Sequence, residues 1–119
     1  MLTREQAANA LDRILHEVLL YKEDSPVILA LEVAGITNLT DFMSLRHEDI
    51  PSLVYQPKLG EKPKPIRLND VGIIQTFIIY GRQLMQDNGG ILSLEQWDAI
   101  TRAEFDEFRI RGWHPSLLC

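Results

Sequence analysis

The stretch Leu31-Glu32-Val33-Ala34-Gly35-Ile36, continued by Leu39, Phe42, Leu45, Ile50 and Leu53, decides how this chain folds. It predicts a short helix stopped at Gly35, where glycine adopts a left-handed C-cap without steric cost. Ile36 is then expected to plug the core, and a second short helix to fold back across the first. Asp49-Ile50-Pro51 predicts one more helical turn, with the proline in its first turn, where the missing N–H has no helical partner to lose. Such short helices cannot bury their apolar faces against one another alone, because most helix stability in proteins comes from tertiary packing. Longer partners are therefore required on either side.

Two segments qualify. Thr3 through Gln6 spells a capping box, and Leu2 with Ala7 forms a candidate staple. Beyond it, Ala7, Ala8, Leu11, Ile14, Leu15, Val18 and Leu19 fall on one face at 100° per residue, opposite Asn9, Asp12, Arg13, His16 and Glu17, which predicts an amphipathic helix over 4–21 with His16 solvated. The second partner is an apolar helix predicted over 70–87 with Asn69 as its cap. Val71, Ile73, Ile74, Phe77, Ile78, Tyr80, Leu84 and Met85 cover about half its circumference. Gly72 and Gly81 lower its helix propensity by about 1 kcal/mol each relative to alanine, so both mark places where another helix is expected to approach closely. Ile79 is the one large apolar side chain on its polar side, which makes Ile79, with Gln75 and Gln83, a candidate partner surface.

Local signals order the rest. Ser25 is the expected N-cap of a helix over 26–34, with Pro26 at its first position and Asp24 near its positive end. Thr37 or Asn38 caps the next helix, with Asp41 in its first turn. Ser93 to Gln96 and Thr101 to Glu104 are two further capping boxes, predicting two short helices that meet at Ile100-Thr101 and bury Trp97, Ile100, Phe105 and Phe108. Asp98 with Arg102 and Glu107 with Arg111 are candidate i,i+4 pairs. The expected whole is all-α: a compact bundle of five to six helices forming one domain over 1–112, with helices 4–21 and 70–87 as a long pair that holds the hairpin. Residues 56–68 are an exposed loop and 113–119 a tail carrying Cys119.

Composition excludes several functions. The 119 residues carry a formal net charge of −5, against the basic excess usual in domains that track nucleic-acid backbones. One local exception is the proline-interrupted segment from Gln56 to Arg67, where Lys58, Lys62, Lys64 and Arg67 outnumber the single acid Glu61 and offer candidate phosphate contacts. No aromatic interleaves them to stack bases. Val71 to Tyr80 is too short for a bilayer, Met1-Leu2-Thr3-Arg4-Glu5 does not read as a secretory signal, and a single cysteine allows no internal disulfide. An intracellular protein, cytoplasmic or nuclear, without membrane contact is expected. His16, His47 and His114 are widely separated, and there is no phosphate-cradling Gly-rich loop, G-x-S-x-G or H-E-x-x-H. No enzyme, metal or cofactor is expected. The acidic group Glu104, Asp106 and Glu107 reads as a solvated helix face.

The run Leu31-x-x-Ala34-Gly35-Ile36-x-x-Leu39-x-Asp41-Phe42-x-x-Leu45-x-x-Glu48-Asp49-Ile50-x-x-Leu53 resembles the Gly-Ile hairpin of helix-hairpin-helix and SAM-like domains, including the C-terminal domain of the bacterial RNA polymerase alpha subunit. That resemblance implies either backbone contact with DNA phosphate at the Gly35-Ile36 turn or a protein-binding module. DNA-binding members carry a second glycine-containing hairpin followed by a basic residue, where this chain runs into Tyr55-Gln56-Pro57. From about residue 23 to 109 the chain is also similar to a helical module at the N-terminus of copia-type retroelement polyproteins of diatoms. The similarity is carried by Glu23-Asp24-Ser25-Pro26, by Leu29-Ala30-Leu31 with Gly35, and by Leu45 with Glu48-Asp49-Ile50. Leu53 with Tyr55, and the run from Trp97-Asp98 through Glu104-Phe105-Asp106-Glu107-Phe108-Arg109, complete it. It implies a Gag-proximal assembly or recruitment role, with a protein partner or self-association; the sequence holds no Cys-x-x-Cys knuckle.

Overall fold

A computed structural model describes residues 2–111. The fold is all-α: α1 (Arg4–Arg13) running into a π turn (Ile14–Val18), then α2 (Pro26–Val33), α3 (Leu39–Met43), a 3₁₀ turn (His47–Ser52), α4 (Leu68–Asp87), α5 (Leu94–Asp98) and α6 (Arg102–Arg111). The predicted tail 113–119, with Cys119, lies outside the described residues.

The hairpin forms as its residues require. At the end of α2, the Gly35 amide donates to the Glu32 carbonyl (3.0 Å) and the Ile36 amide to the Leu31 carbonyl (2.9 Å). This is a Schellman closure, with Gly35 at φ +76°. Asn38 then caps α3, its Oδ1 accepting from the Asp41 amide at 3.0 Å. Leu39, Phe42, Ile50 and Leu53 are buried. Ile36, expected as the plug, is only half-buried at the edge of the core. Leu39 and Phe42 fill the centre instead, because the Schellman turn carries Ile36 to the rim before α3 starts. Pro51 falls near the end of the 3₁₀ turn rather than in its first turn.

Both long helices differ from expectation in instructive ways. The capping box at Thr3 and Gln6 is present in both directions (3.0 and 3.1 Å). The predicted helix 4–21, however, widens at residue 14: the Leu19 amide reaches back five residues to the Ile14 carbonyl at 2.9 Å. Leu20 then takes a left-handed backbone at φ +61°. His16, expected in solvent, braces this turn. Its Nδ1 lies 2.6 Å from the Tyr21 carbonyl, which can only accept, so Nδ1 donates. Its Nε2 lies 3.2 Å from Asp12. A left-handed backbone costs a non-glycine residue about 1–2 kcal/mol, and Leu20 is mostly exposed. Leu20→Gly is accordingly expected to raise stability by about 0.5–1 kcal/mol, and Leu20→Val to lower it, in urea unfolding; the reverse order would refute a strained position.

The second long helix begins at Leu68, and its N-cap is Arg67 with no side-chain cap, so Asn69 is a helical residue and not the cap. Its end closes with a second Schellman pattern, Gly89 amide to Gln86 carbonyl and Gly90 amide to Met85 carbonyl. Of its two glycines only Gly81 meets a neighbour: a Cβ there would lie 2.7 Å from Met43 Cε, whereas one at Gly72 meets nothing within 4 Å among the described residues. The two long helices hold the hairpin through α3. α3 sits between them, touching α1 on one side and α4 on the other; α5 covers α1, and α6 covers α4 and the π turn. Phe42, Phe77, Tyr80 and Phe105 join α3, α4 and α6 in one aromatic cluster, the tightest of these contacts being Phe77 against Phe105 at 5.4 Å, edge to face.

Arginines bind the elements together. Arg13 of α1 donates to the Ile100 and Trp97 carbonyls at the end of α5 (2.9 and 3.4 Å). Arg82 of α4 donates to the Met43 and Leu45 carbonyls at the end of α3 (3.0 and 2.9 Å). Arg102 of α6 donates to the Val18 carbonyl at the end of the π turn (2.9 Å) and pairs with Asp106 (3.0 Å). Each reaches carbonyls at or just past the negative end of a helix. The expected Asp98–Arg102 pair is therefore absent, since Arg102 is engaged elsewhere and Asp98 ends a different helix; Glu107–Arg111 forms at 3.0 Å. Ser25 occupies the N-cap of α2 but makes no capping bond, and its buried hydroxyl has no partner among the described residues.

Candidate functional site

Three surfaces stand out. The first is an open groove of about 600 Å³ between the start of α4 and the end of α6, with Leu68, Gly72, Ile73, Asp106, Arg109 and Ile110 among its walls. Its lips are Leu68, 87% exposed, and Ile110, 80% exposed. The charged groups along the groove pair with one another: Asp106 with Arg102 (3.0 Å) and Arg109 (3.4 Å), and the Arg109 guanidinium lies over the Phe105 ring at 5.7 Å. The two lips of the groove are thus apolar, while Asn69 and Thr76 add polar walls. At 100° per residue both lips lie about 120–140° from the buried centre of their helices, represented by Ile74 and Phe105. That offset is a sequence signal for Ile110; Leu68 falls outside the helix predicted over 70–87, and its offset is set only because α4 starts at Leu68.

Beside this groove the Tyr21 hydroxyl donates to Asp70 at 3.0 Å, tying the segment after α1 to the first turn of α4. Burial, and then the Asp70 carboxylate beside it, push the Tyr21 phenol well above its ordinary value. Burial, with Glu104 second, raises Tyr80 as well. A phenol whose folded pKa is raised keeps its proton while the unfolded chain begins to lose it, so its stabilisation is complete below the ordinary tyrosine pKa of about 10 and declines above it. Between about pH 9 and pH 11 the urea midpoint is expected to fall less in Tyr21→Phe than in the parent; equal slopes would remove Tyr21 as a cause.

The second surface is the basic connection. It is not an unstructured loop throughout, because Val54 pairs with Pro65 and Tyr55 with Lys64 in a short antiparallel ladder, and Ile66 behind it is buried. At the tip, the Glu61 amide closes on the Lys58 carbonyl at 3.1 Å, Gly60 takes φ +88°, and Gln56 Nε2 holds the Glu61 carbonyl at 2.9 Å. Lys58, Lys62, Lys64 and Arg67 are all exposed, as expected, and none has an ion-pair partner among the described residues. Gly35 is exposed too.

The third surface was expected at Ile79, Gln75 and Gln83. Gln75 is occupied, donating to the His47 carbonyl at 3.0 Å, and neighbouring Arg82 holds α3 in place. Ile79 is half-buried and Gln83 exposed.

Among the described residues no group of three or more His, Cys, Asp or Glu is placed to hold a metal, and no helix is long and apolar enough to cross a membrane. No protein-family model, curated protein or solved structure matches this chain.

Proposed function

We propose that this chain is a non-enzymatic protein-interaction or assembly module, of the Gag-proximal retroelement kind that its sequence pattern resembles, built on a SAM-like or helix-hairpin-helix-like hairpin. The observation that carries the reading is the α4–α6 groove, where two large apolar side chains stand almost fully exposed beside a charge network that is already satisfied. Exposed apolar groups gathered at one concavity are a common mark of partner surfaces. A photo-crosslinking phenylalanine analogue at position 110 is expected to trap one discrete protein adduct, lost on Leu68→Ser. Labelling no stronger than from a control site at Glu32, exposed near the end of α2, would overturn the reading.

A second reading, nucleic-acid binding through the Gly35 turn and Lys58, Lys62, Lys64 and Arg67, is favoured by those four exposed cations having no ion-pair partner. It requires oligonucleotide affinity that falls steeply with salt and disappears when all four become glutamine.

A further inference from the structure

We infer that the chain associates with a second copy of itself, the Lys58–Glu61 turn of one protomer seating Leu59 in a groove formed by α4, α5 and the start of α6 of the next. The inference goes beyond the assembly reading: it names a second copy as the partner and stands on a different surface. Leu59 is fully exposed at the hairpin tip, flanked by Lys58 and, beyond Gly60 and Glu61, by Lys62. The tip is held by the Glu61–Lys58 and Gln56–Glu61 hydrogen bonds described above, so presenting Leu59 requires little further ordering.

The receiving groove, of about 300 Å³, has Tyr80, Leu84, Leu92 and Ile100 among its walls and carries Asp87 and Glu104 on its rim. Both acids are exposed, and neither has a cationic partner among the described residues. The Glu104 carboxylate accepts only from the Thr101 hydroxyl of its own cap, at 3.1 Å, and that hydroxyl in turn accepts from the Glu104 amide at 3.2 Å. Glu104 and Tyr80 both line this groove, and Glu104, after burial, helps to raise the Tyr80 phenol. An apolar knob on a turn of net positive charge thus matches an apolar floor between anions. The same asymmetry holds for the whole chain: a segment of +3 leaves −8 on the remainder of a chain whose total is −5. Because the two patches differ, the contact is heterologous and extends from copy to copy or closes into a ring.

Sedimentation velocity of the full chain tests this. At low salt the weight-average sedimentation coefficient is expected to rise with concentration, and raising salt from about 50 to 500 mM should weaken association about tenfold or more, since the contact is made of exposed charges. Lys58→Glu with Lys62→Glu, and separately Asp87→Lys with Glu104→Lys, should each return the chain to monomer, while an equimolar mixture of the two variants should associate again. Leu59→Ser should weaken association about tenfold with all charges retained. A chain that stays monomeric at low salt, or groove reversals that leave association unchanged, would overturn the inference. So would hairpin reversals whose only effect is lost oligonucleotide binding. In all three cases a position-110 adduct would still stand for the broader interaction reading, and its loss alone would not touch this one.

Discussion

Phe77→Ala is expected to lower unfolding free energy by about 3–5 kcal/mol, as seen for large aromatic truncations in well-packed cores. Phe77 is fully buried in the middle of α4 and meets Phe42 at 6.2 Å, Tyr80 at 6.1 Å and Phe105 at 5.4 Å. Its removal opens a cavity where three helices converge, and the surrounding rings are too rigid to collapse into it. Each such ring pair contributes about 0.5–1.5 kcal/mol beyond the area it buries. Since small domains have only about 5–15 kcal/mol in total, the variant should lie near the limit of folding at room temperature. Phe108, half-buried at the edge of the same cluster, serves as comparison: its truncation should cost clearly less. Equal losses at the two positions in urea unfolding would mean that the cluster is not centred on Phe77.

Arg102→Met should cost about 1.5–3 kcal/mol, the range for hydrogen bonds to a charged group. Methionine keeps an apolar stem, so the loss isolates the guanidinium. That group joins the Val18 carbonyl to Asp106, and without it a partly buried carbonyl at the end of the π turn has no donor. Lysine should rescue little, because a single ammonium lacks the fork that reaches both acceptors. Arg13→Met should behave similarly through Trp97 and Ile100. Arg82→Met, whose bonds are exposed, should cost less than either. An Arg102→Met protein as stable as the parent would show that water replaces the guanidinium without loss.

Features that depend on neighbours a few residues apart were readable in advance. The capping boxes at Thr3 and Ser93, the cap at Thr37 or Asn38, the closure after Gly35, and the break between α5 and α6 all involve groups within five positions of one another. Backbone sterics and local hydrogen bonding decide such features whatever surrounds them. The buried stripe of α4 was readable for a related reason, since a helix shows its period in its residues.

Other features follow from what covers what. Gly72 and Gly81 look alike in the chain, yet only Gly81 faces a neighbour, because α3 crosses α4 at one end. Ile36 lost the centre of the core to Leu39 and Phe42 once the turn had set its direction. Arg13 reaches carbonyls more than eighty positions away, and His16 was drawn from solvent by a π turn that its own residues do not announce.

The candidate surfaces divide the same way. Lys58, Lys62, Lys64 and Arg67 were visible because a proline-broken cationic run has no buried place to go. Leu68 and Ile110 became a pair only when the end of α6 came to rest beside the start of α4. The amino-acid order thus specified the helices, their stops and the apolar stripes, which are local consequences of backbone geometry and periodicity. Tertiary packing alone chose which apolar groups stay uncovered and which charges find partners, because exposure is a property of the neighbours that a residue acquires, and those come from distant parts of the chain.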